Sequence, residues 1–147
     1  MTAMPAPPPG VAARLASILA RVEAACRAVG RRPEDVVLIG VSKTQPAAAV
    51  AAAWQAGLRV FGENRVQEAA AKSRDLAALQ PGAAPEWHLI GPLQSNKVKP
   101  ALDLFTTIHS VDRPRIAEAL DREATARGHT LTGFLEVNLG GEDSKHG

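Results

Sequence analysis

The sequence has little of several residue types, and each shortage excludes a class of protein. It contains one cysteine, Cys26, which cannot close a disulfide within the chain and therefore indicates a reducing compartment. Cys26 falls at an apolar position of a helical pattern, so we expect it to pack in the core. No apolar run is long enough to span a membrane, and the proline-rich start lacks the features of a secretory signal. These shortages predict a cytoplasmic protein.

The sequence also lacks a large excess of charge of one sign. Lys and Arg number 17 and Asp and Glu 15, and the net charge of +2 is not gathered into a run. We therefore expect neither nucleic acid nor a membrane as a partner. No His and Cys grouping has metal-ligand spacing and no Gly-x-Ser-x-Gly motif occurs, so zinc and serine-hydrolase sites are not predicted.

The 147 residues are 46% hydrophobic, a composition typical of one globular domain with a core. Residues 1–10 contain four prolines and are expected to form a disordered tail, which leaves residues 11–147 as the folded domain. Apolar residues recur every three or four positions from Val11 to Val29, and this pattern predicts an amphipathic helix that ends at Gly30.

Strands and helices are predicted to alternate after this first helix. Predicted strands cover residues 36–41, 58–61, 87–90, 104–108 and 131–137, and helices lie between them. The first strand is apolar on both faces, as in a parallel strand covered on both sides. Asn64 and Asp112 are predicted N-caps of two helices, and Gly128 is a predicted helix end.

This alternation is typical of an α/β fold with a parallel sheet and right-handed connections. Two architectures fit: a doubly wound sheet of five strands, or the first five βα units of an eight-stranded (β/α)8 barrel of the TIM type. The pattern alone does not choose between them. No Gly-rich dinucleotide motif follows the first strand, which slightly favours the barrel.

Lys43 directly follows the most apolar predicted strand, at the end of the sheet where active sites of such folds gather. Apolar walls around its stem would disfavour the charged ammonium and increase the fraction of neutral, nucleophilic amine. Imine chemistry requires that amine. On position alone, the alternative is a lysine that extends into solvent at a strand end.

Three blocks of sequence resemble the pyridoxal-phosphate homeostasis family. They are VSKTQP at residues 41–46, FGENRVQE at 61–68 and WHLIGPLQSNK at 87–97, and shorter matches follow at 109–112 and 137–147. Pro92 stands where a histidine or another polar residue is expected. The resemblance implies the amino-terminal part of an alanine-racemase-type barrel that is preceded by a helix.

The resemblance also implies a cofactor, pyridoxal 5'-phosphate (PLP), the active form of vitamin B6, held as an imine (Schiff base) on Lys43. Members of the family are thought to buffer or deliver PLP, possible acceptors are PLP-requiring apoenzymes, and no turnover reaction is implied. The phosphate-binding segments would lie beyond Gly147. The complete protein is expected to be a monomer, whereas a fragment would associate through open sheet edges.

Four further residues are candidates for the cofactor site, each with a simpler alternative. Asn64 could contact the cofactor ring or act only as an N-cap. His88 could hydrogen-bond within the barrel, and the alternative is a core histidine whose partners are all protein groups. Ser110 and Asn138 are predicted to end strands on the same side, where turn or capping roles would also explain them.

Two other functions remain open. A PLP-dependent amino-acid racemase on the same barrel needs an acid or base on each face of the cofactor. The chain has no tyrosine, so the tyrosine base of the racemase pattern is missing. The third possibility is a truncated remnant that does not bind the cofactor.

Overall fold

The computed structural model describes residues 10–142 and 147. Within these residues, an amino-terminal helix is followed by alternating strands and helices. The α-helices are α1 (Val11–Ala28), α2 (Ala47–Gln55), α3 (Val66–Leu79), α4 (Val98–Leu102) and α5 (Pro114–Arg127). The strands are β1 (Ile39–Val41), β2 (Val60–Glu63), β3 (Glu86–Leu89), β4 (Phe105–Val111) and β5 (Thr132–Leu135). Short 3-10 helices cover Pro33–Asp35 and Ser95–Lys97.

The strand order separates the two predicted architectures. Hydrogen-bonded neighbours follow the chain order β1-β2-β3-β4-β5, and β4 pairs in parallel with both β3 and β5. A doubly wound sheet reverses its strand order at a switch point, whereas consecutive βα units of a (β/α)8 barrel keep the chain order. The α/β fold class, with five parallel strands after an amino-terminal helix, is confirmed.

The chain forms two compact units. Among the described residues, the first comprises 10–61 and 72–85, and the second comprises 62–71, 86–142 and 147. In the first unit, α1 packs against α2, and Leu15, Cys26 and Val50 are buried. The core position predicted for Cys26 is therefore confirmed.

The first strand differs from the prediction. Only Ile39–Val41 is a strand, because Pro33 starts a 3-10 turn in which the Val36 N–H donates to the Pro33 carbonyl. Val37 and Val41 are 63% and 53% exposed, so the expectation of a strand covered on both faces is wrong. A Cβ atom on Gly40 would lie 2.3 Å from Cδ2 of Leu58, so a larger residue at this position would require the Leu58 side chain to shift.

The second unit is built around β3 and β4, whose apolar side chains Leu89 and Ile108 are fully buried, as is Ile116 of α5. Strand β4 continues to Val111, which is further than predicted. Helix α5 ends at Gly128 with a φ of 64°, as predicted. The predicted cap at Asp112 is wrong, because the N-cap is Arg113 and the Asp112 carboxylate accepts hydrogen bonds from the Arg113 guanidinium instead.

Two expectations stay predictions. The tail prediction concerns residues 1–10, of which 1–9 lie outside the described residues, and a single domain over 11–147 is likewise a prediction. In the described part of the chain, none of the helices has the length and apolar character needed to cross a membrane.

Candidate functional site

Lys43 lies in a tight turn directly after β1. The Gln45 N–H donates to the Ser42 carbonyl at 3.0 Å, which makes Lys43 and Thr44 the two central residues of the turn. Thr44 has a φ of 64°, an uncommon left-handed conformation for a β-branched residue. Backbone strain of this kind costs of the order of 1–3 kcal/mol and is often found at functional sites.

The side chain of Lys43 is exposed. Within the described residues it forms no hydrogen bond or ion pair, and the preceding Val41 is also largely exposed. The apolar surroundings predicted for this amine are therefore not observed among the described residues of the first unit. The amine is instead accessible to a molecule in solution.

Lys72 is a residue of this region that the sequence analysis missed. It lies on α3, is buried, and donates from Nζ to the Ser42 carbonyl at 2.6 Å. The carbonyl that begins the Lys43 turn thus accepts one hydrogen bond from Gln45 and one from a buried ammonium. The spacing held a signal for this role, since Lys72 lies four residues before the buried Leu76 on the apolar face of α3.

His88 is a buried member of a hydrogen-bonded chain in the second unit. Its Nδ1 lies 3.0 Å from Nε2 of His109, and its Nε2 lies 3.0 Å from Oε1 of Glu86, which also accepts from Thr106. Both ring nitrogens of His88 therefore have protein partners. This agrees with the alternative interpretation of His88 as a core histidine. The ring of His109 stacks on Phe134 with centroids 4.8 Å apart.

The pKa values of Glu86 and His109, which flank His88 in this hydrogen-bonded series, are both lowered. The hydrogen bond from His88 is the main cause that lowers the pKa of Glu86. Burial lowers the pKa of His109, and the charge of His88 adds to that effect. Both changes favour a deprotonated carboxylate and a neutral imidazole near neutral pH.

Ser110 lies inside β4 rather than after it, which corrects its predicted place at a strand end. Its buried hydroxyl donates to the Gly91 carbonyl at 2.6 Å. Gly91 in turn lies close to Asn64, since a Cβ atom on Gly91 would be 2.4 Å from the Asn64 carbonyl oxygen. Ser110 and the Asn64 backbone therefore meet at Gly91, which no larger residue could replace without moving the chain.

The last two candidates differ in what their amides do. Asn64 is half-buried and lines a cleft in the second unit, so its side chain stays a candidate for ligand contact. The amide of Asn138 closes a local turn, where Nδ2 donates to the Glu142 carbonyl and Oδ1 accepts from the Gly141 N–H, both at 3.0 Å. The structure thus shows Asn138 in the turn role that was given above as the alternative to a role in the cofactor site.

Comparison with known sequences identifies close relatives, although no protein-family model matches the chain. The chain is 47% identical over 137 residues to the pyridoxal phosphate homeostasis protein of Pseudomonas aeruginosa and 42% identical over 137 residues to that of Escherichia coli. Each alignment covers 93% of this chain and 58% of the relative. The chain thus spans 58% of the length of these relatives.

Solved structures give a consistent result. PipY of Synechococcus elongatus without PLP matches with a TM-score of 0.76 and 44% identity, over 93% of this chain and 58% of PipY. PipY with PLP bound matches with a TM-score of 0.74 and 45% identity, over 90% and 56%. An unknown protein from Bifidobacterium adolescentis matches with a TM-score of 0.79 and 41% identity, over 93% of this chain and 58% of that protein.

Proposed function

Because this chain belongs to the pyridoxal phosphate homeostasis family, we propose that it binds PLP through an imine on Lys43. The observation that carries the proposal is the exposed amine of Lys43 on a turn with a constrained backbone. Support for the cofactor comes from the relatives, which are named for PLP homeostasis, and from PipY, which has been solved with PLP bound.

The chemistry requires one accessible amine and no further catalytic group. Lys43 would hold PLP by condensation of its amine with the aldehyde carbon of the cofactor, whose carbonyl oxygen would leave as water. Water or another amine reverses the same step. An exposed lysine suits a protein that holds PLP reversibly, because the acceptor of the cofactor must reach the linkage.

Lys72 contributes by holding the Lys43 turn. Its buried ammonium and the Gln45 N–H both donate to the Ser42 carbonyl, so the residue that precedes Lys43 is fixed from two directions. A fixed backbone reduces the conformational entropy that is lost when the cofactor binds. Lys72 itself is buried and hydrogen-bonded, which makes it a poor nucleophile toward a large aldehyde.

Delivery of PLP to PLP-requiring apoenzymes is part of the same proposal, as are a cytoplasmic location and a monomeric complete protein. The imine of this chain should depend on Lys43.

Absorbance spectroscopy tests this function. Adding PLP to the 147-residue chain should produce the visible band of a protein-bound imine, and Lys43→Ala should remove it. Lys99→Ala is the matched control, because Lys99 is also exposed and lies on α4. A Lys43→Ala protein with the same band as the parent would show that Lys43 does not hold the cofactor.

A further inference from the structure

The second unit contains a cleft that is lined by Asn64 but not by Lys43. It has a volume of about 390 Å³, within the range of small-molecule sites. One wall is the segment that enters α3, and the other is the loop after β3. The lining residues are Asn64, Arg65, Val66, Gln67, Pro92, Leu93, Gln94 and Lys97, and we call this the Arg65–Lys97 cleft.

The lining of the Arg65–Lys97 cleft has charge of one sign. It includes two cationic residues and no carboxylate. Neither Arg65 nor Lys97 forms an ion pair within residues 10–142, whereas Arg113 and Arg127 of the same unit are paired with acidic residues. Two cations that share a cleft without a counterion favour the binding of an anion.

Hydrogen-bond donors accompany the charge. The lining has three side-chain amides, those of Asn64, Gln67 and Gln94, and each carries two N–H donors. Arginine adds a planar fork of donors that fits two oxygens of one phosphate, and lysine adds a compact point charge. This set of donors suits a ligand with several oxygen acceptors.

The backbone of the cleft is held in place before any ligand binds. Ser110 donates to the Gly91 carbonyl at 2.6 Å, and Nη2 of Arg113 donates to the Leu93 carbonyl at 3.1 Å. The absence of a side chain on Gly91 lets its loop approach the Asn64 carbonyl, which brings the two walls together. A wall fixed in this way loses little entropy on binding.

We propose that the Arg65–Lys97 cleft binds the phosphate group of a small phosphate monoester. Two cations balance the charge of about −2 that such a group carries near neutral pH, whereas a single carboxylate would leave one cation unpaired. The site requires no imine, and it therefore stands whether or not Lys43 holds a cofactor.

Calorimetric titration with inorganic phosphate at low ionic strength tests the proposal. The protein is the 147-residue chain with Lys43→Ala, which separates the result from imine formation. The double variant Arg65→Gln/Lys97→Gln should bind phosphate about tenfold more weakly or worse, a loss of roughly 1.4 kcal/mol. The matched control is Lys99→Gln/Arg122→Gln, which removes the same two charge types from exposed positions of the same unit and should bind like the parent.

Three results would overturn the proposal. They are no saturable binding of phosphate by the parent, equal weakening in the two double variants, and binding of acetate as tight as that of phosphate. Circular dichroism checks that the variants fold, and the single variants Arg65→Gln and Lys97→Gln provide the same test with a smaller change. Each single variant should lie between the parent and the double variant.

Discussion

The candidate residues of the two units have opposite character. After β1, the Lys43 side chain is exposed and without a partner among the described residues, while its backbone is constrained by the turn. In β3 and β4, the side chains of His88 and Ser110 are buried and hydrogen-bonded to protein groups. A polar side chain near a strand end can therefore serve chemistry or hold the fold, and its partners decide which.

The largest effect should come from the two lysines of the first unit. Lys72→Met should lower the free energy of unfolding by about 2 kcal/mol, because it removes a buried, charge-assisted hydrogen bond to Ser42. Lys43→Met should change it by less than about 0.5 kcal/mol, because that side chain is exposed. Urea unfolding measures both values. An equal loss of unfolding free energy in the two variants would contradict the view that Lys72 stabilises the fold and Lys43 does not.

Ser110→Ala should have a smaller effect. The change leaves the buried Gly91 carbonyl without its hydroxyl donor and should destabilise the fold by about 1 kcal/mol. Ser95→Ala is the matched control, since Ser95 is exposed in the same unit and its loss should cost less than about 0.5 kcal/mol. If Ser110→Ala is as stable as the control in urea, the hydroxyl is free for a ligand and the structural assignment fails.

The smallest effect concerns pH. Burial lowers the pKa of His109 in the folded state, so the unfolded chain takes up this proton at a higher pH than the folded chain does. The stability contributed by neutral His109 is present above its ordinary pKa of about 6.5 and is lost as the pH falls below that value.

His109→Gln removes this titrating side chain. His129→Gln is the control, because His129 is exposed in the same unit. Urea midpoints measured between about pH 7.5 and 5.5 should fall less for His109→Gln than for the parent. A slope identical to that of the parent would mean that His109 does not contribute to the pH dependence.

Local patterns in the sequence predicted most of the fold and the position of Lys43 after the first strand. The alternation of apolar strands with helices located all five strands within a few residues, and Gly128 was correctly predicted as a helix end. Errors arose where a local hydrogen bond overrides the preference of a residue type for a strand or a helix cap. The turn that begins at Pro33 shortens β1, and the Asp112 carboxylate binds Arg113 instead of capping α5.

Contacts between residues distant in sequence could not be predicted. The hydrogen bond from Lys72 to Ser42 joins positions 30 apart, and that between His88 and His109 joins positions 21 apart. Both depend on the packing of helices and the register of strands, which the order of residue types does not specify. The sequence left the exposure of Lys43 open for the same reason, since an apolar strand does not reveal what covers its end.

Borohydride reduction followed by peptide mapping tests the central proposal most directly. The parent chain is incubated with PLP and reduced, and mass spectrometry then locates the stable pyridoxyl adduct among its lysines. We expect the adduct on the peptide that contains Lys43, with Lys72 unmodified because its Nζ is buried and hydrogen-bonded to Ser42. An adduct spread evenly over Lys43, Lys97 and Lys99 would contradict the proposal that Lys43 holds the cofactor.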